Sequence, residues 1–213
     1  MTEGKKYTTG ILAFGSLIDN PGQEISEIEV ARLDCETPFS IEFARTSSTR
    51  SNAPTLIPVK IGGRKVKAKI IILRPETNID EAKSILWRRE LHKTDRAENY
   101  VEPNNPGANR VVVKVLEDFM NVERVLYTSI RSNINQSLTG GLLADFSIAS
   151  ILAQAGQQEK DGLRYLLSAK RNGVVTELSD DYENQILIKT GSKSLEEAIE
   201  KLDRKRMMYP IGQ

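Results

Sequence analysis

Cysteine and histidine are nearly absent: each occurs once, as Cys35 and His92, in 213 residues. A lone cysteine excludes an intramolecular disulfide, and with a lone histidine it also excludes a Cys/His zinc site. Long apolar runs are missing too. No stretch approaches the roughly 18 uninterrupted apolar residues a membrane-spanning helix needs, and the opening MTEGKKYTTG has no signal-peptide core. Neither sign of charge dominates, with 30 basic against 29 acidic residues and a net charge of +1. No global field therefore recruits nucleic acid or an anionic membrane. These absences predict a soluble, cytoplasmic protein of a reducing compartment, with no nucleic-acid or membrane partner.

What is present is ordinary globular composition, 39% apolar and 28% charged. The length supports one sizeable core, or one domain with an appended lobe. Residues 7–14 (YTTGILAF) are β-branched and apolar and stop at Gly15-Ser16. Residues 25–34 alternate through Ile25, Ile28, Val30 and Leu33, which predicts a strand with a bulge or bend. Residues 39–45 alternate cleanly, with Phe39, Ile41 and Phe43 on one face. Residues 55–61 and 65–73 flank Gly62-Gly63-Arg64, which predicts a hairpin. Asn78 followed by Glu81 has capping-box spacing for a helix from 79 to 92.

The polar stretch 94–109 reads as a surface loop, and strands follow at 110–116 and 124–130. From residue 140 the apolar period becomes helical, over 142–155, 159–171, 180–189 and 194–205, punctuated by Gly156, Gly173 and Gly191. The expected fold class is therefore α+β: a mixed sheet or small barrel of about seven strands with one embedded helix, then a helical C-terminal extension. The corresponding domains are a core over 1–135 and an extension over 136–213 packed on it.

Two features carry chemistry. A strand that breaks at Gly15-Ser16, in the run FGSLI, exposes consecutive backbone N–H groups able to form an anion-binding concavity. The plainer reading is a strand-to-turn junction. The second feature is Glu90. Ala82, Leu86 and Glu90 lie at i, i+4 and i+8, so at about 100° per residue they share one stripe with Ile85. That stripe points Glu90 inward or into a cleft, in the last turn, where the helix dipole is negative. Partial burial and the dipole both suit a general base working near neutral pH. The alternative is a structural ion pair with Arg88, Arg89 or Arg45.

Other residues have plainer readings. Tyr100 and Tyr127 could each offer a hydroxyl to a pocket, but a tyrosine in a strand or loop is more often half-buried packing. Trp87 reads as core, His92 as a partner for the helix C-terminus, and Cys35 as a small buried apolar residue. Arg45 and Arg50 bracket the stretch TSST as solvated arginines or as receptors for a carboxylate.

Together these pieces resemble the γ-glutamylcyclotransferase-like family. Members have an early strand ending in a Tyr-Gly-Ser-Asn/Leu loop and a later helix whose acidic residue faces it. The loop is matched here by Phe14-Gly15-Ser16-Leu17-Ile18, and the helix by Leu86-Trp87-Arg88-Arg89-Glu90. FARTSSTRSNAPTLIPV between them resembles the family's strand, loop and strand, and the similarity covers residues 7–130. Phe14 stands where tyrosine is usual, Leu17-Ile18 replaces the Asn-Leu of some members, and the smallest members lack the helical tail.

The resemblance implies an enzyme that converts a γ-glutamyl amine to 5-oxoproline and a free amine. The substrate's own α-amine attacks its γ-carbonyl. Glu90 would be the general acid/base and residues 14–18 would hold the γ-glutamyl group, with Tyr100, Tyr127 and Arg45 as further substrate contacts. No metal or organic cofactor is required. Two other hypotheses remain open: a non-catalytic binder of small carboxylates with the same fold, and an interaction protein whose helical tail docks a partner. For the tail, covering the pocket, forming a homo-oligomer interface and setting substrate size are all open.

Overall fold

The computed structural model describes residues 6–208. In chain order the first elements are β1 (Tyr7–Ala13), α1 (Ser16–Asp19), α2 (Gln23–Ile28), β2 (Glu29–Glu36), β3 (Ile41–Ser47), β4 (Ala53–Pro58) and β5 (Lys67–Leu73). There follow α3 (Ile79–Glu90), β6 (Val112–Phe119), β7 (Val122–Ser129), α4 (Gly140–Leu152) and α5 (Gln154–Gln157). The last elements are α6 (Gly162–Arg171), α7 (Ser179–Thr190) and α8 (Leu195–Met208). The fold is mixed α+β, and among the described residues the strands close no barrel. Among the described residues, 6–37 join 67–131 in one compact unit, and 38–66 join 132–208 in a second.

The first unit is a five-stranded mixed sheet in the order β2-β5-β1-β7-β6. Strand β1 lies at its centre, antiparallel to β5 and parallel to β7. A strand covered on both faces needs apolar residues at successive positions rather than alternate ones. Accordingly Ile11 and Leu12 in β1 and Ile70, Ile71 and Ile72 in β5 are all buried. Edge strand β2 keeps alternate residues exposed, as a half-covered strand should. Helix α3 packs across β7, β6 and β1. Ala82, Ile85 and Leu86 form its buried stripe. Its start is as the capping pattern predicts: the Asn78 side chain accepts from the Glu81 N–H at 2.8 Å.

Two local expectations are corrected. The segment expected as one strand over 25–34 begins as α2 and becomes β2 only at Glu29, with a register irregularity between Glu29 and Ala31. Ile25 and Ile28 satisfy a helical i, i+3 spacing as well as an interrupted alternation. The expected hairpin 55–61/65–73 does not form either. β4 pairs with β3, whereas β5 pairs with β1 and β2. Gly62 and Gly63 do turn the chain, both at positive φ, but the turn returns Arg64 to the Ile41 backbone and not β5 to β4.

The second unit sets the β3–β4 pair against helices, with β4 packed on α4 and α6. The sequence reading grouped segment 38–66 with the sheet and divided the chain at 135/136. The compact unit instead takes that segment with the helices from residue 132. Its apolar side chains explain the grouping. Phe43 is fully buried, edge-on to Tyr165 and Tyr182, with ring centroids at 6.1 and 5.3 Å.

Candidate functional site

The loop after β1 turns at Gly15, whose φ of 94° and ψ of −139° suit a residue without a Cβ. The turn is closed by Ile18 N–H donating to Gly15 O at 3.0 Å and Asn20 N–H donating to Ser16 O at 2.9 Å. Leu17 and Ile18 are buried and anchor α1, while Phe14 and Ser16 are half-buried. The carbonyl end of the turn is held by two arginines. Arg32 Nη1 donates to Ile18 O at 2.6 Å, and Arg89 Nη2 donates to Asn20 O at 2.7 Å.

Glu90 closes α3 one turn beyond Leu86, on the buried stripe, and its side chain is 23% exposed. Oε1 accepts from Arg89 Nη1 at 2.6 Å. The same guanidinium donates through Nη2 to Ser16 Oγ at 3.1 Å. Arg89, one of the three arginines named as ion-pair candidates, pairs with Glu90, and that cation joins the carboxylate to the loop. Arg88 diverges into the protein, donating to Glu24 through Nε and Nη2 at 3.0 and 2.6 Å, and to Glu98 O at 2.6 Å.

The remaining predicted residues lie elsewhere. Tyr100 packs at α3, its N–H donating to Ser84 Oγ and its hydroxyl accepting from Val113 N–H, both at 3.1 Å. Burial raises the pKa of that hydroxyl. Tyr100 lines a polar groove of about 590 Å³ with Glu24, Ser84, Arg88 and Arg96, a groove to which neither Glu90 nor residues 14–18 contribute. Tyr127 is half-buried on β7 opposite Lys114, and burial raises its pKa as well. Arg45 belongs to β3 in the second unit, where burial lowers its pKa.

His92 serves as a helix stop. It takes a positive φ of 53°, donating from N–H to Arg89 O at 3.2 Å, while Lys93 N–H reaches Arg88 O at 2.9 Å. Trp87 is half-buried rather than core, with the Lys93 ammonium 5.1 Å from its ring centroid. Cys35 is half-buried on the edge strand. Among the described residues no cluster of three or more His, Cys, Asp or Glu is arranged to hold a metal ion. No described helix is long and apolar enough to cross a membrane.

In comparisons with known proteins, the chain matches no family model and no curated protein. The site therefore rests on its own geometry. The sequence offers Arg89 as one of three ion-pair candidates for Glu90, but not its bonds to the loop or the role of Arg32. The only local signal was that Arg89 adjoins Glu90 at a helix end. Its reach to Ser16 and Asn20 spans more than 60 positions of sequence and leaves no periodic trace.

Proposed function

We propose that this chain is a cytoplasmic γ-glutamylcyclotransferase-like enzyme that converts a γ-glutamyl amine to 5-oxoproline and a free amine, with Glu90 as general acid/base. The observation that supports the reading is proximity: Glu90 and Ser16 bind the same Arg89 guanidinium, so the carboxylate and the loop lie within one side chain of each other. The ion pair itself is the alternative raised by the sequence. This geometry supports a carboxylate on the loop side of α3.

In the proposed reaction Glu90 takes a proton from the substrate's α-ammonium. The freed amine attacks the γ-carbonyl carbon, closing a five-membered ring. Attack within one molecule has little translational entropy left to lose, so orientation and proton transfer dominate the barrier. Ser16 and Leu17 lie in the first turn of α1, where backbone N–H groups have no intrahelical carbonyl to meet. They suit the developing oxyanion. Glu90 gives its proton to the leaving nitrogen as the C–N bond breaks and takes the second proton from the ring nitrogen. That second proton passes to the departing amine or to water, leaving the neutral lactam of 5-oxoproline. No cofactor enters the scheme.

The test is 5-oxoproline release from a panel of γ-glutamyl amines and amino acids. The wild-type protein should turn over at least one of them, and Glu90→Gln should lower that rate by about 10²–10⁴-fold. Absence of turnover across the panel, or an unchanged rate in the variant, overturns the reading. A second reading, a non-catalytic carboxylate binder, is favoured by the Glu90–Arg89 pair itself and by the absence of a hydroxyl at Phe14. It predicts that Glu90→Gln leaves carboxylate binding intact while wild type turns nothing over.

A further inference from the structure

We propose that Arg89 is a positioning residue, holding the loop after β1 in register with the carboxylate of Glu90. The inference rests on the base assignment above but adds a residue and a device to it. One planar guanidinium makes three hydrogen bonds, to Glu90 Oε1, Ser16 Oγ and Asn20 O. Its side chain is 16% exposed, so these bonds are partly shielded from water. The fork geometry is specific to arginine. A lysine ammonium is a point donor on a flexible stem and does not span the same acceptors in one plane.

Gly22, whose φ of +87° itself calls for glycine, lies beside the stem of Arg89, at 3.1 Å from Cγ for a Cβ placed there. The guanidinium of Arg32, on Ile18 O, holds the neighbouring carbonyl of the same turn. With Ile18 O and Asn20 O held by two cations, the turn is tied to both β2 and α3. A site that depends on orientation needs such ties, because a misplacement of about 1 Å can lower a rate about 10²-fold.

The experiment compares wild type with Arg89→Lys, Arg89→Met and Gly22→Ala by steady-state kinetics on γ-glutamyl amines and by amide hydrogen exchange over residues 15–20. Arg89→Lys and Arg89→Met should lose about 10²-fold in kcat, with KM changed far less. Both should also exchange their loop amides about tenfold faster. Gly22→Ala, which strains a positive-φ turn directly, serves as the control for loop disruption that leaves the Arg89 side chain in place. Glu90→Gln should leave loop exchange as in wild type, because the bonds to Ser16 and Asn20 remain. Wild-type kcat in Arg89→Lys, or unchanged loop exchange in both arginine variants, overturns the proposal. If wild type turns nothing over, the base assignment fails and the exchange comparison still decides whether Arg89 orders the loop. If Arg89→Met does not fold, Arg89→Lys decides.

Discussion

The Arg88 guanidinium clasps the Glu24 carboxylate through Nε and Nη2, at 3.0 and 2.6 Å, with side chains only 5% and 19% exposed. It ties α3 to α2. Removing one partner strands the other as a half-buried charge, so Arg88→Met should cost about 3–5 kcal/mol of stability. The double variant Arg88→Met/Glu24→Leu should recover much of that loss. Urea denaturation of the three proteins measures both effects. Equal losses in single and double variants would mean that packing, not the ion pair, holds α2.

Glu42 presents the corresponding relationship in the second unit. Its carboxylate is 3% exposed, and it accepts from Phe43 N–H at 2.8 Å, the Thr176 hydroxyl at 2.6 Å and Leu178 N–H at 3.2 Å. These three donors make it a staple between β3 and the segment before α7. Glu42→Ala should lose about 3 kcal/mol, because buried donors are left unmet. Glu42→Gln, which keeps one acceptor oxygen, should lose less. Hydrogen exchange over 174–178 should rise in step with the loss, and unchanged protection there would contradict the staple.

Cys35 gives a pH dependence. Burial, helped by the negative charge of Asp34, pushes its thiol up to about 11 from an ordinary value near 9. The unfolded chain therefore loses this proton first, and between those values the native state binds more protons. Stability contributed by the thiol is complete below pH 9 and is lost as pH rises towards 11. The thiolate is the nucleophile, so alkylation at pH 8 should run about a hundredfold slower than for a free thiol. In Cys35→Ala the alkaline loss of stability should shrink. An alkylation rate equal to that of a small free thiol would show that the side chain is not shielded.

Much of the architecture was legible in residue order. Asn78 and Glu81 marked the start of α3 because a cap is a local hydrogen bond, made within three residues. The helices from residue 140 onward followed from their apolar period. The hairpin assigned around Gly62-Gly63 was not borne out, since the turn is local but the partner of β5 is not. Three apolar isoleucines in a row fit any central strand, and only pairing with β1 and β2 decides which.

At the candidate site the division is similar. The run FGSLI and the inward stripe through Glu90 were visible, because turn chemistry and helical periodicity act over a few residues. The roles of the three neighbouring arginines were not. Arg88, Arg89 and Arg32 are equivalent as letters, and each side chain is long enough to reach several acceptors.

By itself, then, the sequence determined where most of the strands and the longer helices occur, the lone cysteine's exclusion from disulfides, and which carboxylate shares a stripe with the core of α3. Tertiary structure alone decided that β3–β4 joins the helices, that the five-stranded sheet stays open, and that Arg89 rather than Arg88 meets Glu90. The reason is range. Backbone propensity and periodicity are set by residues within a turn or two, whereas strand partners and ion pairs are set by which distant surfaces leave fewest apolar and charged groups unmatched.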